Sequence, residues 1–178
     1  MKKKFGVLLS VAIGLTLVNG VGQASAATYT ICDNDPVASN CGMYFGGLPE
    51  GGTAHWVYRT GAGYNNDYRL IANASYPYET ASISLRRPSG NFIAGSNSVY
   101  AYINSAFTSR TTRYWVFPGG GVVGNSVGTL NQYNASTGWN YVGSFNTSGN
   151  WDRLDIQVEP QGQAGTNDGL DAIEIVSP

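Results

Sequence analysis

Residues 151–159, WDRLDIQVE, alternate without a break: Leu154, Ile156 and Val158 fall on one face, Arg153, Asp155, Gln157 and Glu159 on the other. A period of two belongs to an extended strand with one dry face and one wet face. Residues 80–85 repeat it, with Ala81, Ile83 and Leu85 against Thr80, Ser82 and Ser84. In residues 139–146, Trp139, Tyr141 and Phe145 are expected on one face and Asn140, Ser144 and Asn146 on the other. Further strands are predicted at 53–59, 68–72, 99–103, 113–117, 122–132 and 172–176, punctuated by Gly- and Pro-rich turns. No stretch after residue 26 holds a helical period over three turns. Short strands at intervals of about ten residues predict an all-β fold, a two-sheet antiparallel sandwich of jelly-roll type.

Residues 1–26 have the pattern of an export signal: Lys2, Lys3 and Lys4, an apolar run over 7–18, and Ala24-Ser25-Ala26 before the expected cleavage point. The apolar run is short for a permanent span. Residues 27–178 are then expected as a single secreted domain with no membrane span, in which 27–52 form an irregular strap. All three lysines lie in the signal, so seven arginines face eleven acids and leave a net charge of about −4. A lysine-free, mildly acidic surface disfavours nucleic acid and anionic membranes, which need basic patches. Cys32 and Cys41 are the only cysteines; in an exported chain their spacing predicts a disulfide, contributing roughly 2–3 kcal/mol.

Gly138-Trp139 with Gly143 and Phe145, then Leu154 to Val158, then Asp171-Ala172-Ile173 with Ile175 form a series that resembles the golvesin C-terminal-like domain. Ser98–Ile103 and Arg110–Gly121 resemble two upstream segments of that family, so the likeness covers residues 98–176. It implies a β-sandwich module of secreted bacterial proteins, of a kind taken to be carbohydrate-binding or adhesive.

The residues offer little for catalysis. His55 is the only histidine, no nucleophile elbow is present, and both sulfurs are expected to be oxidised. A small glycoside hydrolase would need paired carboxylates; Asp155 and Glu159 instead sit on the wet face of an amphipathic strand. Oxygen-rich clusters make a structural calcium site a candidate, with Asp33, Asp35, Asp168 and Asp171 as its ligands. Asp171 shares the face of Ile173 and Ile175, so its carboxylate must meet either a cation or backbone N–H groups; both readings stay open. The abundant aromatics are the other resource, since sugar rings stack on them while amides and guanidinium groups read hydroxyls. Trp115, Tyr100, Tyr102, Tyr64 and Tyr68 are the stacking candidates, with Asn65, Asn66, Arg69 and Arg113 as polar readers. The expected function is non-catalytic binding of an extracellular or cell-wall polysaccharide. The alternative is a secreted protein–protein module, an inhibitor, toxin component or matrix subunit, using the same aromatic surface.

Overall fold

The computed structural model describes residues 27–34, 41–46, 54–72, 79–87, 90–92, 94–148, 151–161 and 164–178. The export signal expected at 1–26, and Asp35, lie outside them. Among the described residues twelve strands follow one another: β1 (Thr28–Cys32), β2 (Cys41–Gly46), β3 (Val57–Thr60), β4 (Asp67–Ala72), β5 (Thr80–Arg86), β6 (Gly95–Ile103), β7 (Thr112–Pro118), β8 (Asn125–Leu130), β9 (Gly138–Thr147), β10 (Arg153–Pro160), β11 (Asn167–Leu170) and β12 (Ile173–Ser177). One 3-10 turn, Tyr64–Asn66, sits between β3 and β4. The alternation in residues 153–159 and 80–85 produces β10 and β5 as antiparallel neighbours, Leu154, Ile156 and Val158 opposite Leu85, Ile83 and Ala81.

The strands form three antiparallel sheets, ordered β1-β12-β6-β9, β2-β5-β10-β7-β8 and β11-β4-β3. The two larger ones make the sandwich: one apolar cluster joins Val99, Ala101, Ile103, Ile173 and Ile175 of the first to Ala81, Ile83, Leu85, Val116, Leu154 and Ile156 of the second. Tyr114 is buried in this core, which pushes its phenol well above the ordinary tyrosine range. Its hydroxyl accepts a hydrogen bond from Gln132 Nε2 at 3.1 Å. Gln132 also donates to the Gly169 carbonyl at 2.8 Å and accepts from the Gly169 N–H at 2.9 Å, so one buried amide secures β11 against the core.

Three expectations change. Residues 27–52 are not wholly an irregular strap, since β1 pairs with β12 and β2 with β5. Between the strands predicted at 151–159 and 172–176, where only turns are expected, lies β11, paired with β4 in the third sheet. These short strands are specified by distant partners rather than by a long local alternation. In β9 the register passes from Val99 opposite Gly143 to Tyr100 opposite Tyr141, leaving Val142 as the extra residue of a bulge. Val142, Gly143 and Phe145 are buried while Tyr141 is exposed. The bulge therefore turns Trp139 and Tyr141 away from the face occupied by Phe145. The disulfide joins Cys32 to Cys41.

Candidate functional site

The outward face of the four-stranded sheet collects aromatic side chains. In β6 the buried Val99, Ala101 and Ile103 alternate with the half-buried Tyr100 and Tyr102. Tyr100 lies opposite Tyr141 and Tyr102 opposite Trp139, with ring centroids 5.5 Å and 5.4 Å apart, both edge-on. Tyr64 reaches the same face from the turn before β4 and meets Tyr102 at 5.5 Å and Trp139 at 5.4 Å. The geometry is that of favourable edge-to-face packing.

A buried carboxylate holds Tyr64 in place. The Tyr64 N–H donates to both oxygens of Asp171, at 3.1 and 3.0 Å. Gly63 just before it has φ 93°, and a Cβ there would stand 2.4 Å from Asp171 Oδ2 and 2.2 Å from the Asp67 carbonyl. Only glycine lets turn and carboxylate approach this closely. Asn65 and Asn66 also have positive φ, 52° and 72°, and Asn65 Nδ2 donates to Asp33 Oδ2 at 2.6 Å. Buried Asn34 bridges Asp33 and Asp67 through its Nδ2.

Burial raises the Asp171 pKa to about 8; the Tyr64 N–H opposes that shift, and the nearby charges of Asp33 and Asp67 add to it. The donors at this end are all oxygens, as a hard cation requires, and the Asn34 Oδ1 is buried without a hydrogen-bond partner. Among the described residues, however, no three of His, Cys, Asp and Glu converge as a metal site. Asp168 is bonded by the Thr112 hydroxyl, and Asp35 lies outside the described residues. What the structure shows at Asp171 is the hydrogen-bonded arrangement.

The sequence-predicted binding residues divide into three groups. Tyr64, Tyr100 and Tyr102 come together at the four-stranded sheet, while Asn65 and Asn66 share the turn of Tyr64, with Asn65 bonded to Asp33. Trp115 and Arg113 lie on the outward face of the five-stranded sheet, where Trp115 Nε1 donates to Glu159 at 2.8 Å. Tyr68 and Arg69 belong to β4 of the small sheet: Tyr68 packs on Phe107 at 5.8 Å, and the Arg69 guanidinium lies over Phe45 and Tyr58 at 5.1 and 5.4 Å. Trp139 and Tyr141 escaped the sequence reading because an unbroken alternation places them with Phe145; a Val-Gly pair inside the strand was the one available sign of a bulge. His55 is exposed, with Nδ1 3.7 Å from Glu79 Oε1. A cavity of about 570 Å³ beside it is lined by His55 itself with Ala54, Val57, Arg59 and Leu70.

No family model matches the chain, and no curated protein sequence does. Similar solved structures include a xanthan lyase of Paenibacillus, 18% identical with a TM-score of 0.56 over 85% of this chain and 13% of the lyase. The chain thus spans about an eighth of that enzyme, and the likeness is one of fold. A family 35 carbohydrate-binding module of Clostridium thermocellum is 18% identical, TM-score 0.48, over 85% of this chain and 99% of the module. A family 29 carbohydrate-binding module is 18% identical, TM-score 0.44, over 85% and 86%. The chain is an all-β antiparallel sandwich.

Proposed function

We propose that this chain is a secreted, non-catalytic module that binds an extracellular or cell-wall polysaccharide. One observation carries the reading: Tyr64, Tyr100, Tyr102, Trp139 and Tyr141 gather on a sheet face turned away from the core, with Tyr141 54% exposed. Sugar C–H faces stack on such rings, and Asn65, exposed at the rim, supplies an amide for the hydroxyls. The golvesin-like series of residues 98–176 runs through β6, β7, β9, β10 and β12, which include the strands bearing four of the five rings. Its implication of a secreted adhesive module agrees with this reading, as do the export-signal pattern and the disulfide.

Pull-down with insoluble polysaccharides, comparing wild type with Tyr141→Ala and Trp139→Ala, tests it. Each variant is expected to lose about 1–3 kcal/mol of binding while keeping a cooperative thermal transition. Retention of full binding by both folded variants overturns the assignment to this face. Capture of a protein partner from culture supernatant, with no polysaccharide bound, replaces it with the protein-directed alternative.

A further inference from the structure

The opposite side of the sandwich carries a different arrangement. Pairing in the five-stranded sheet sets Tyr44 opposite Ser82, Ser82 opposite Gln157, Gln157 opposite Trp115 and Trp115 opposite Ser126. One straight row thus crosses all five strands, with an aromatic ring toward each end and small or amide polar side chains between. The core residues Ala81, Ile83, Leu154, Ile156, Val158, Tyr114 and Val116 alternate with it along their strands, so the row faces outward.

Both rings are held as platforms. Tyr44 lies back over Gly42, two residues earlier on the same face: a Cβ at Gly42 would meet its hydroxyl at 3.2 Å, Cε2 at 3.3 Å and Cζ at 3.5 Å. With no side chain beneath it, the ring rests along the strand, 61% exposed. Trp115 is fixed at its edge by the bond to Glu159. The polar groups beside the row are likewise oriented, Ser84 Oγ donating to Asp155 at 2.6 Å and Gln157 Nε2 to Thr80 Oγ1 at 3.4 Å. Charges on this face cancel. Arg153 pairs with Asp155 at 3.2 Å and Arg86 with Asp152 at 2.7 Å, while Arg113 stands opposite Glu159 in register.

We propose that this face is a second glycan-binding surface, taking a neutral linear polysaccharide segment laid across the strands with one sugar stacked on Tyr44 and another on Trp115. The proposal rests on the reading of the chain as a polysaccharide-binding module. Three strand spacings of about 4.8 Å put the two rings about 14 Å apart, the length of about three pyranose units. Preoriented amide and hydroxyl groups between two stacking platforms suit hydroxyl-bearing sugars, and the cancelled charges leave no counterpart for a polyuronate.

Calorimetric titration with β-1,4-linked hexasaccharides of glucose, mannose and xylose, and with a hexagalacturonate, tests it. Wild type is expected to bind at least one neutral hexasaccharide at two sites and the uronate at least tenfold more weakly. Trp115→Ala and Tyr44→Ala should each weaken one site about tenfold or more and leave the other, whereas Tyr141→Ala does the reverse. Gly42→Val, which lifts the Tyr44 ring without removing it, should weaken the same site as Tyr44→Ala. A single site lost in Tyr141→Ala and untouched in Trp115→Ala, Tyr44→Ala and Gly42→Val overturns this proposal while the polysaccharide reading stands. Binding lost only with Trp115 and Tyr44 reverses the roles of the faces: this proposal stands and the first assignment fails. If wild type binds none of these sugars and no insoluble polysaccharide, both fail together.

Discussion

Asp171 joins the start of the C-terminal strand to the turn carrying Tyr64, and it does so from a buried position that raises its pKa from 3.8 to about 8. For an acid whose folded pKa lies above its unfolded one, folding takes up a proton between the two values. The native state is therefore best favoured below about pH 4, and that advantage is lost as pH rises toward 8. Thermal melts from pH 5 to 8 should show wild type losing stability relative to Asp171→Asn, whose amide does not titrate. Parallel curves refute protonation of this carboxylate. EDTA at pH 8 should leave the wild-type melting temperature unchanged in the hydrogen-bonded arrangement; a fall assigns a cation to the Asp33, Asp67 and Asp171 end. His55, exposed and 3.7 Å from Glu79, is expected to be dispensable: His55→Ala should bind polysaccharide as wild type does, and a loss of binding in the folded variant would contradict its placement outside the site.

Among the elements, β9 decides where the aromatic face is. Its inserted residue Val142 is buried, and from there the strand changes the side on which odd-numbered residues stand. Deleting Val142 would leave Tyr141 outward, Gly143 inward, Ser144 outward and Phe145 inward in one regular alternation, so the rings keep their side and only the bulge and the buried Val142 side chain are removed. We expect binding to be retained and stability to fall by about 0.5–3 kcal/mol, the usual cost of losing a buried side chain, read as a lower denaturant midpoint. Loss of binding in the folded deletion variant would show that Trp139 and Tyr141 need the bulge itself, and not only the parity it sets, to form the face. The sequence made β5 and β10 legible because long runs of alternating polarity register a single buried face. It placed Tyr100 and Tyr102 outward for the same reason, since Val99, Ala101 and Ile103 claim the core. Trp139 and Tyr141 were misplaced because periodicity assumes constant parity, which one extra residue reverses. Tyr44 went unnoticed because β2 has only six residues and its outward row appears only once the register with β5 and β10 is known. Trp115, Tyr68 and Arg69 were recognised as surface resources but could not be assigned to different sheets by a local pattern. The fold class was thus readable from residues taken a strand at a time; the grouping of site residues depended on pairings between strands up to about a hundred positions apart.

For the whole molecule, seven arginines against eleven acids after residue 26 leave little capacity to hold a polyanion. Affinity for a neutral polysaccharide should change less than about threefold between low and moderate salt, because few counterions are released on binding. A steep fall with salt, measured by the same pull-down, would favour a charged partner instead. The mass of the purified protein should be two hydrogens below that of its reduced form, and two titratable thiols in the native protein would refute the Cys32–Cys41 bond. That bond has a mechanical meaning. Cys32 ends β1, the margin of one large sheet, and Cys41 begins β2, the margin of the other. At the opposite border β8 and β9 lie backbone against backbone, where a Cβ at Gly128 or Gly143 would clash with the facing Val142 or Val127 carbonyl, and between the two borders the sheets meet through side chains packed in the core. A covalent rivet along one border turns the sandwich into something hinged on a spine, so that tension applied to its opposite faces would be borne there by a bond rather than by packing alone.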